Sequence, residues 1–146
     1  MATCREVMTR EPASSQPTDS LVRVAQVMKS HDVGAVPVVD GASRKLVGMI
    51  TDRDITVKAV ASGRSCETAT VRDIMSSDVV TCREDDDIQT AVSRMAERKV
   101  RRIPVVDQGG VLCGIIAQAD IATRIHRDET TGELVEAISE PGVVRR

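Results

Sequence analysis

The segment Val36-Pro37-Val38-Val39-Asp40 returns 67 residues later as Ile103-Pro104-Val105-Val106-Asp107. No other pattern constrains the architecture as strongly, because two copies of one unit must adopt the same local structure. The same offset carries Arg5-Glu6-Val7-Met8 onto Arg72-Asp73-Ile74-Met75, Met28 onto Met95 and Val33 onto Val100. Gly48 and Asp54-Ile55 reappear at an offset of 66 as Gly114 and Asp120-Ile121. The lost residue falls between the two Gly-bearing turns that follow Asp40 and Asp107, and loops tolerate such changes where element interiors do not. The 146 residues therefore divide into repeat one (1–66), repeat two (67–126) and a C-terminal piece (127–146).

Both repeats show one succession of patterns. A short Arg-acidic-apolar-Met turn opens each. Leu21, Val24, Ala25 and Met28 then fall at i, i+3, i+4 and i+7, as do Ile88, Ala91, Val92 and Met95, which predicts an amphipathic helix in each repeat. Thr18 or Asp19 is the expected cap of the first helix, and Asp85 or Asp86 of the second. The acidic run Glu84-Asp85-Asp86-Asp87 reads as charge facing a helix dipole rather than as a metal site. Strands are expected over Ala35–Val39 and Arg102–Val106, and again over Leu46–Ile50 and Val111–Ile116 after a Gly-bearing turn. Each second strand leads directly into a helix that begins near Asp52 or Gln118. A helix–strand–strand–helix unit of about sixty residues buries too little surface alone. Two copies with small β-sheets packed together and flanked by helices place the chain in the mixed α/β (α+β) class.

Composition narrows the function. There is no Phe, Tyr or Trp, so a flat ligand would be held by aliphatic side chains, and single-stranded nucleic-acid readers built on aromatic platforms are disfavoured. A net charge of −2 and a pI near 5.7 lack the basic footprint of a duplex binder. No apolar stretch approaches the ~18 residues of a membrane span, and Met1–Glu6 has no apolar signal core, so a cytoplasmic chain with no membrane and no nucleic-acid partner is expected. Cys4, Cys66, Cys82 and Cys113 form no CxxC pair. They read as isolated thiols in a reducing compartment, with redox sensing as the alternative use.

Chemistry is concentrated in Gly48-Met49-Ile50-Thr51-Asp52-Arg53-Asp54-Ile55, where a buried strand stops and a helix starts. First-turn N–H groups favour an anion such as phosphate. Thr51 can cap them or donate to a phosphate oxygen. The Asp54 carboxylate, one turn on, suits the two hydroxyls of a ribose, each charged contact being worth about 1.5–3 kcal/mol. The plain alternative is a helix N-cap followed by a first-turn acid. His31 and His126 end helices without a nucleophile or carboxylate partner, so no catalytic constellation is visible and no enzyme is expected.

The repeat together with Gly48-x-x-Thr51-x-x-Asp54 resembles the CBS domain family, over nearly the whole chain. Thr51-Asp52-Arg53-Asp54-Ile55 followed by Lys58 looks like the small stand-alone members of the hypoxic-response type. The resemblance implies a pseudo-twofold pair with clefts that hold AMP, ADP, ATP or another adenosyl compound, no required cofactor, and a homodimer acting on a protein partner. It also implies ligand contacts from Val36, Pro37, Thr51, Arg53 and Asp54 in repeat one, and from Arg101, Ile103, Pro104 and Asp120 in repeat two. The repeats are unequal. Ala117 stands where the second hydroxyl belongs, and Gly34 is matched by Arg101, which can supply a cation to phosphate. Arg53 is a second candidate cation or a solvent-facing helix residue. The competing reading is an interaction scaffold with empty clefts. Residues Thr131–Ile138 predict a short amphipathic helix ended by Pro141-Gly142.

Overall fold

A computed structural model describes residues 2–128, with side chains to residue 124; the expected helix over Thr131–Ile138 lies outside the described residues. In chain order the elements are α1 (Cys4–Val7), β1 (Thr9–Arg10), α2 (Leu21–His31), β2 (Ala35–Val39), β3 (Leu46–Thr51) and α3 (Asp52–Asp54). A π-helix (Ile55–Val60) continues α3. Then come α4 (Val71–Ile74), β4 (Cys82–Arg83), α5 (Ile88–Arg98), β5 (Arg102–Val106), β6 (Leu112–Ala117) and α6 (Gln118–Asp128). Two compact units result, one from Ala13–Val79, the other from residues 1–12 with those from Val80 onward.

In the Ala13–Val79 unit, Ser20 caps α2, its hydroxyl accepting from the Arg23 N–H at 3.1 Å. Neither Thr18 nor Asp19 takes that role, because Asp19 is drawn into the preceding turn, accepting from the Gln16 N–H at 2.9 Å. Leu21, Val24 and Met28 are buried on one stripe of α2, within a cluster that includes Val36, Val38, Ile50, Val71 and Ile74. Burying each such side chain stabilises by roughly 1.5–3 kcal/mol. Strands β2 and β3 pair antiparallel, Ala35 opposite Thr51 and Pro37 opposite Met49, with a bulge between Val38 and Val39. Single bridges extend the hairpin on either side, Ser15 to Val38 and Ser76 to Met49.

The other unit repeats this construction. Asp87 caps α5, accepting from the Gln89 N–H at 2.9 Å, while Asp86 closes the turn before it by accepting from the Arg83 N–H at 2.8 Å. The cap is again one residue later than Asp85 or Asp86, for the same reason. Strands β5 and β6 share the register of β2 and β3, including the bulge, here between Val105 and Val106. The sheet order is β1-β6-β5-β4, with β1 antiparallel to β6 and β4 parallel to β5. Ile88, Ala91, Val92, Met95, Ile103, Val105, Ile116 and Ile121 form its core with Cys4 and Cys82.

Compact units and sequence repeats have different limits. Thr9 of repeat one pairs with Ile115 of repeat two, and Ser76 of repeat two pairs with Met49 of repeat one. The opening segment of each repeat thus completes the sheet built on the strands of the other. The sequence repeats are expected to meet at 66/67, whereas the units divide at 12/13 and 79/80. Glycine permits these closures. A Cβ on Gly48 would stand 2.8 Å from the Ser76 carbonyl oxygen, and one on Gly114 2.7 Å from that of Thr9.

Candidate strand-to-helix ligand sites

At the end of β3 the chain leaves the sheet with Thr51 in extended conformation and enters α3. The Thr51 hydroxyl accepts from the Asp54 N–H at 3.0 Å, and Asp54 Oδ2 accepts from the Thr51 N–H at 3.0 Å. This reciprocal box satisfies two donors that a helix start leaves open. The Asp52 N–H donates to the Gly34 carbonyl at 2.9 Å, fixing the junction against the start of β2. The other Asp54 oxygen, Oδ1, faces Lys58 Nζ at 3.3 Å, and that ammonium also donates to the Ile74 carbonyl at 3.4 Å. Asp54 is only 18% exposed against 49% for Lys58, so the acid is recessed and the cation stands at its mouth. A hydroxyl, a carboxylate and an ammonium therefore meet within one turn.

The second junction is plainer. Asp120 Oδ2 accepts from the Ala117 N–H at 2.9 Å, but Ala117 returns no hydroxyl. The Gln118 N–H donates to the Arg101 carbonyl at 2.8 Å, matching the Asp52–Gly34 bond. Arg124 sits where the offset of 66 places the counterpart of Lys58, yet its guanidinium pairs with Glu6 on α1 at 3.3 Å. The cation that neutralises the acid in one unit is thus committed to another acid in the other.

Thr51 and Asp54 are brought together as their spacing suggested. Asp120 holds the corresponding place, and Arg53 is exposed. Arg101 is half-buried, just before β5, and is engaged with another group. Val36 and Ile103 are 0% exposed and belong to the hydrophobic cores, and Pro37 and Pro104 beside them are also buried. Four consecutive residues of each strand are buried. Lys58 facing Asp54 is the contact that sequence reasoning missed, although the i, i+4 spacing carried the signal. The conspicuous Asp40 and Asp107 are turn staples. Asp40 accepts from the Ser43 N–H at 2.9 Å, and Asp107 from the N–H groups of Gly109 and Val111 at 2.9 and 3.0 Å. Hydrogen bonds from the Ser43 backbone and hydroxyl hold the Asp40 carboxyl below the usual carboxylate range.

Duplicated hairpins, each flanked by helices and each leading into a helix with an acid in its first turn, define a tandem-repeat module of the α+β class. The CBS domain family model matches residues 4–60 and again 71–127, and the chain belongs to that family. It is 35% identical over 143 residues to CBS domain-containing protein YhcV of Bacillus subtilis, spanning 98% of this chain and 99% of that one. Hypoxic response protein 1 of Mycobacterium tuberculosis is 34% identical over 141 residues, covering 97% and 96% of the two chains. A crystal structure of Hypoxic Response Protein I with two coordinated zinc ions superposes with a TM-score of 0.77, at 35% identity, over 84% of this chain and 98% of that one. The CBS domain pair of protein MJ0100, in complex with 5′-methylthioadenosine and S-adenosyl-L-methionine, gives a TM-score of 0.76 at 27% identity, over 89% and 99%. Among the described residues no group of three or more His, Cys, Asp or Glu side chains could hold a metal ion. No helix of the described residues is long and apolar enough to cross a membrane.

Proposed function

We propose that this chain is a non-catalytic regulatory module, cytoplasmic and homodimeric, that binds an adenine nucleotide or related adenosyl compound at its strand-to-helix junctions and thereby alters a protein partner. The observation that carries this reading is the recessed Asp54 beside the Thr51 hydroxyl and the Lys58 ammonium. A carboxylate suits ribose hydroxyls, and a hydroxyl with a cation suits a phosphate. The MJ0100 pair supports the ligand class, since its complex holds two adenosyl compounds. The two junctions are unequal, and the one at Asp54 has the fuller set of phosphate partners. AMP, ADP or ATP at ~100 times its dissociation constant should stabilise the fold by about 2.7 kcal/mol. In calorimetry Asp54→Ala should remove the tighter binding event, a loss of roughly ten- to a hundredfold, while Asp120→Ala leaves it nearly intact. The reverse pattern would assign the tighter site to Asp120.

A ligand-free interaction scaffold is the second reading. Its support is that Asp54 already has a partner on each oxygen, so a ribose would have to displace or share Lys58. The absence of any thermal shift with millimolar AMP, ADP, ATP and S-adenosylmethionine would favour the scaffold.

A further inference from the structure

Cys4 and Cys82 stand 78 positions apart in sequence and meet in the core of one unit. Cys4, the first residue of α1, is 0% exposed, and Cys82 in β4 is 1% exposed. Both are free thiols in a single hydrophobic cluster. The backbone fixes their approach: the Cys4 N–H donates to the Asp86 carbonyl and the Arg5 N–H to that of Glu84, both at 2.9 Å, so α1 lies against the chain leaving β4. The Ile88 N–H donates to the Ala2 carbonyl at 3.0 Å, pinning the same segment at its other side. Each sulfur also faces a carbonyl oxygen at 3.9 Å, Cys4 that of Asp87 and Cys82 that of Pro104. The other unit carries Val71 and Ser15 at the equivalent positions, and there Ser15 Oγ is buried without a hydrogen-bond partner. The fold thus does not demand sulfur at this place.

We infer that Cys4 and Cys82 are a dithiol–disulfide site, which a peroxide closes to tie the N-terminal segment covalently to β4. The neighbouring Cys82 thiol holds Cys4 below its usual range. The Cys4 thiol and burial push Cys82 up. Cys4, on the short helix that opens, is the attacking thiol, and Cys82, held in β4, the resolving thiol. The Cys4 sulfur takes one peroxide oxygen, the O–O bond breaks, and the departing hydroxide leaves as water after gaining a proton, giving a sulfenic acid. The Cys82 sulfur then attacks that sulfur. The S–O bond breaks, the S–S bond forms, and the second oxygen leaves as water with the Cys82 proton. Two thiols and one hydrogen peroxide yield one disulfide and two waters. Access comes from local opening of α1, a helix of only four residues whose side-chain ion pairs, Arg5 with Glu84 and Glu6 with Arg124, are exposed. Because the bridge closes a long loop, the oxidised chain melts several degrees higher than the reduced one.

The experiment treats the full chain with stoichiometric hydrogen peroxide under native conditions, alkylates it after unfolding, and reads intact mass and linked peptides. The expected product has lost two hydrogens and links the Cys4 peptide to the Cys82 peptide, with reversal by a dithiol reductant. Cys4→Val and Cys82→Ser, which install the residues of the other unit, should each abolish the linkage and keep the circular dichroism spectrum. Should either variant fail to fold, the Cys66→Ser/Cys113→Ser double variant decides the matter, since it must still lose two hydrogens. A linkage through Cys66 or Cys113, or full alkylation of Cys4 and Cys82 while those two half-exposed thiols oxidise, overturns the inference.

Discussion

The Thr3 and Thr70 N–H groups donate to the Glu6 and Asp73 carboxylates as that of Thr51 does to Asp54, while the Glu6 and Asp73 N–H groups return to the threonine carbonyls. Hydrogen bonds from the Thr3 and Thr70 N–H groups come first among the influences that hold the Glu6 and Asp73 carboxyls below their ordinary values of 4.5 and 3.8. A folded-state pKa below the unfolded one means that the unfolded chain binds more protons in that window, so stability falls as pH falls through it. Both pairings thus contribute fully above the ordinary values and are lost as pH drops through the lowered ones. Both acids are exposed, so each contribution is modest. Asp73→Asn should lower stability at neutral pH and flatten its decline below about pH 4. Urea midpoints measured from neutral to acid pH would show this. Parallel curves for the two proteins would mean that the Asp73 pairing does not couple to folding.

At the scale of elements, the hairpin edges are closed by segments that pass close over glycine. Gly48→Ala and Gly114→Ala should each destabilise by about 1–3 kcal/mol, since a Cβ there meets a backbone carbonyl below 3.0 Å that cannot rotate away. Gly109→Ala is the control, its nearest neighbour being the Asp107 carboxylate at 3.4 Å. Chemical denaturation should separate the first two from the third, and equal midpoints would contradict the closure described. The strands were legible in sequence because β-branched runs between turn residues repeat at one spacing. The long helices were legible through their apolar periodicity. Their caps were misplaced by one position because two polar residues precede each helix start, and a list of residues does not say which of them closes the turn before. The exchange of opening segments was not legible at all, since Thr9 and Ile115 share no local signal. At the site, the Thr51–Asp54 pairing followed from spacing, whereas the diversion of Arg124 to Glu6 depends on where α1 packs.

At the scale of the molecule, three large apolar side chains among the described residues remain in solvent, Val22 at 36%, Val57 at 47% and Val60 at 60%, on α2 and the π-helix. A chain without aromatic residues has a limited core, and a second copy that covers such side chains would add to it. The proposed homodimer predicts a light-scattering mass near twice 15.7 kDa at micromolar concentration. Val57→Asp and Val60→Asp should shift it toward the monomer by placing charges in the covered surface. A monomeric mass for the unaltered chain would remove the dimer from the proposal.

The exchanged opening segments also set an order in time. Synthesis runs from the N-terminus, and one unit is a single stretch whose last contributing residue is Val79. It can close its sheet while the strands of the other are still being made. Thr9 and Arg10 are made well before their partners Ile115 and Gly114, which come more than a hundred residues later. Closing so long a loop is slow compared with forming a local hairpin. Strand β1 is therefore made early and placed late, and until it is placed, the edge of β6 stands unpaired and open to any passing strand.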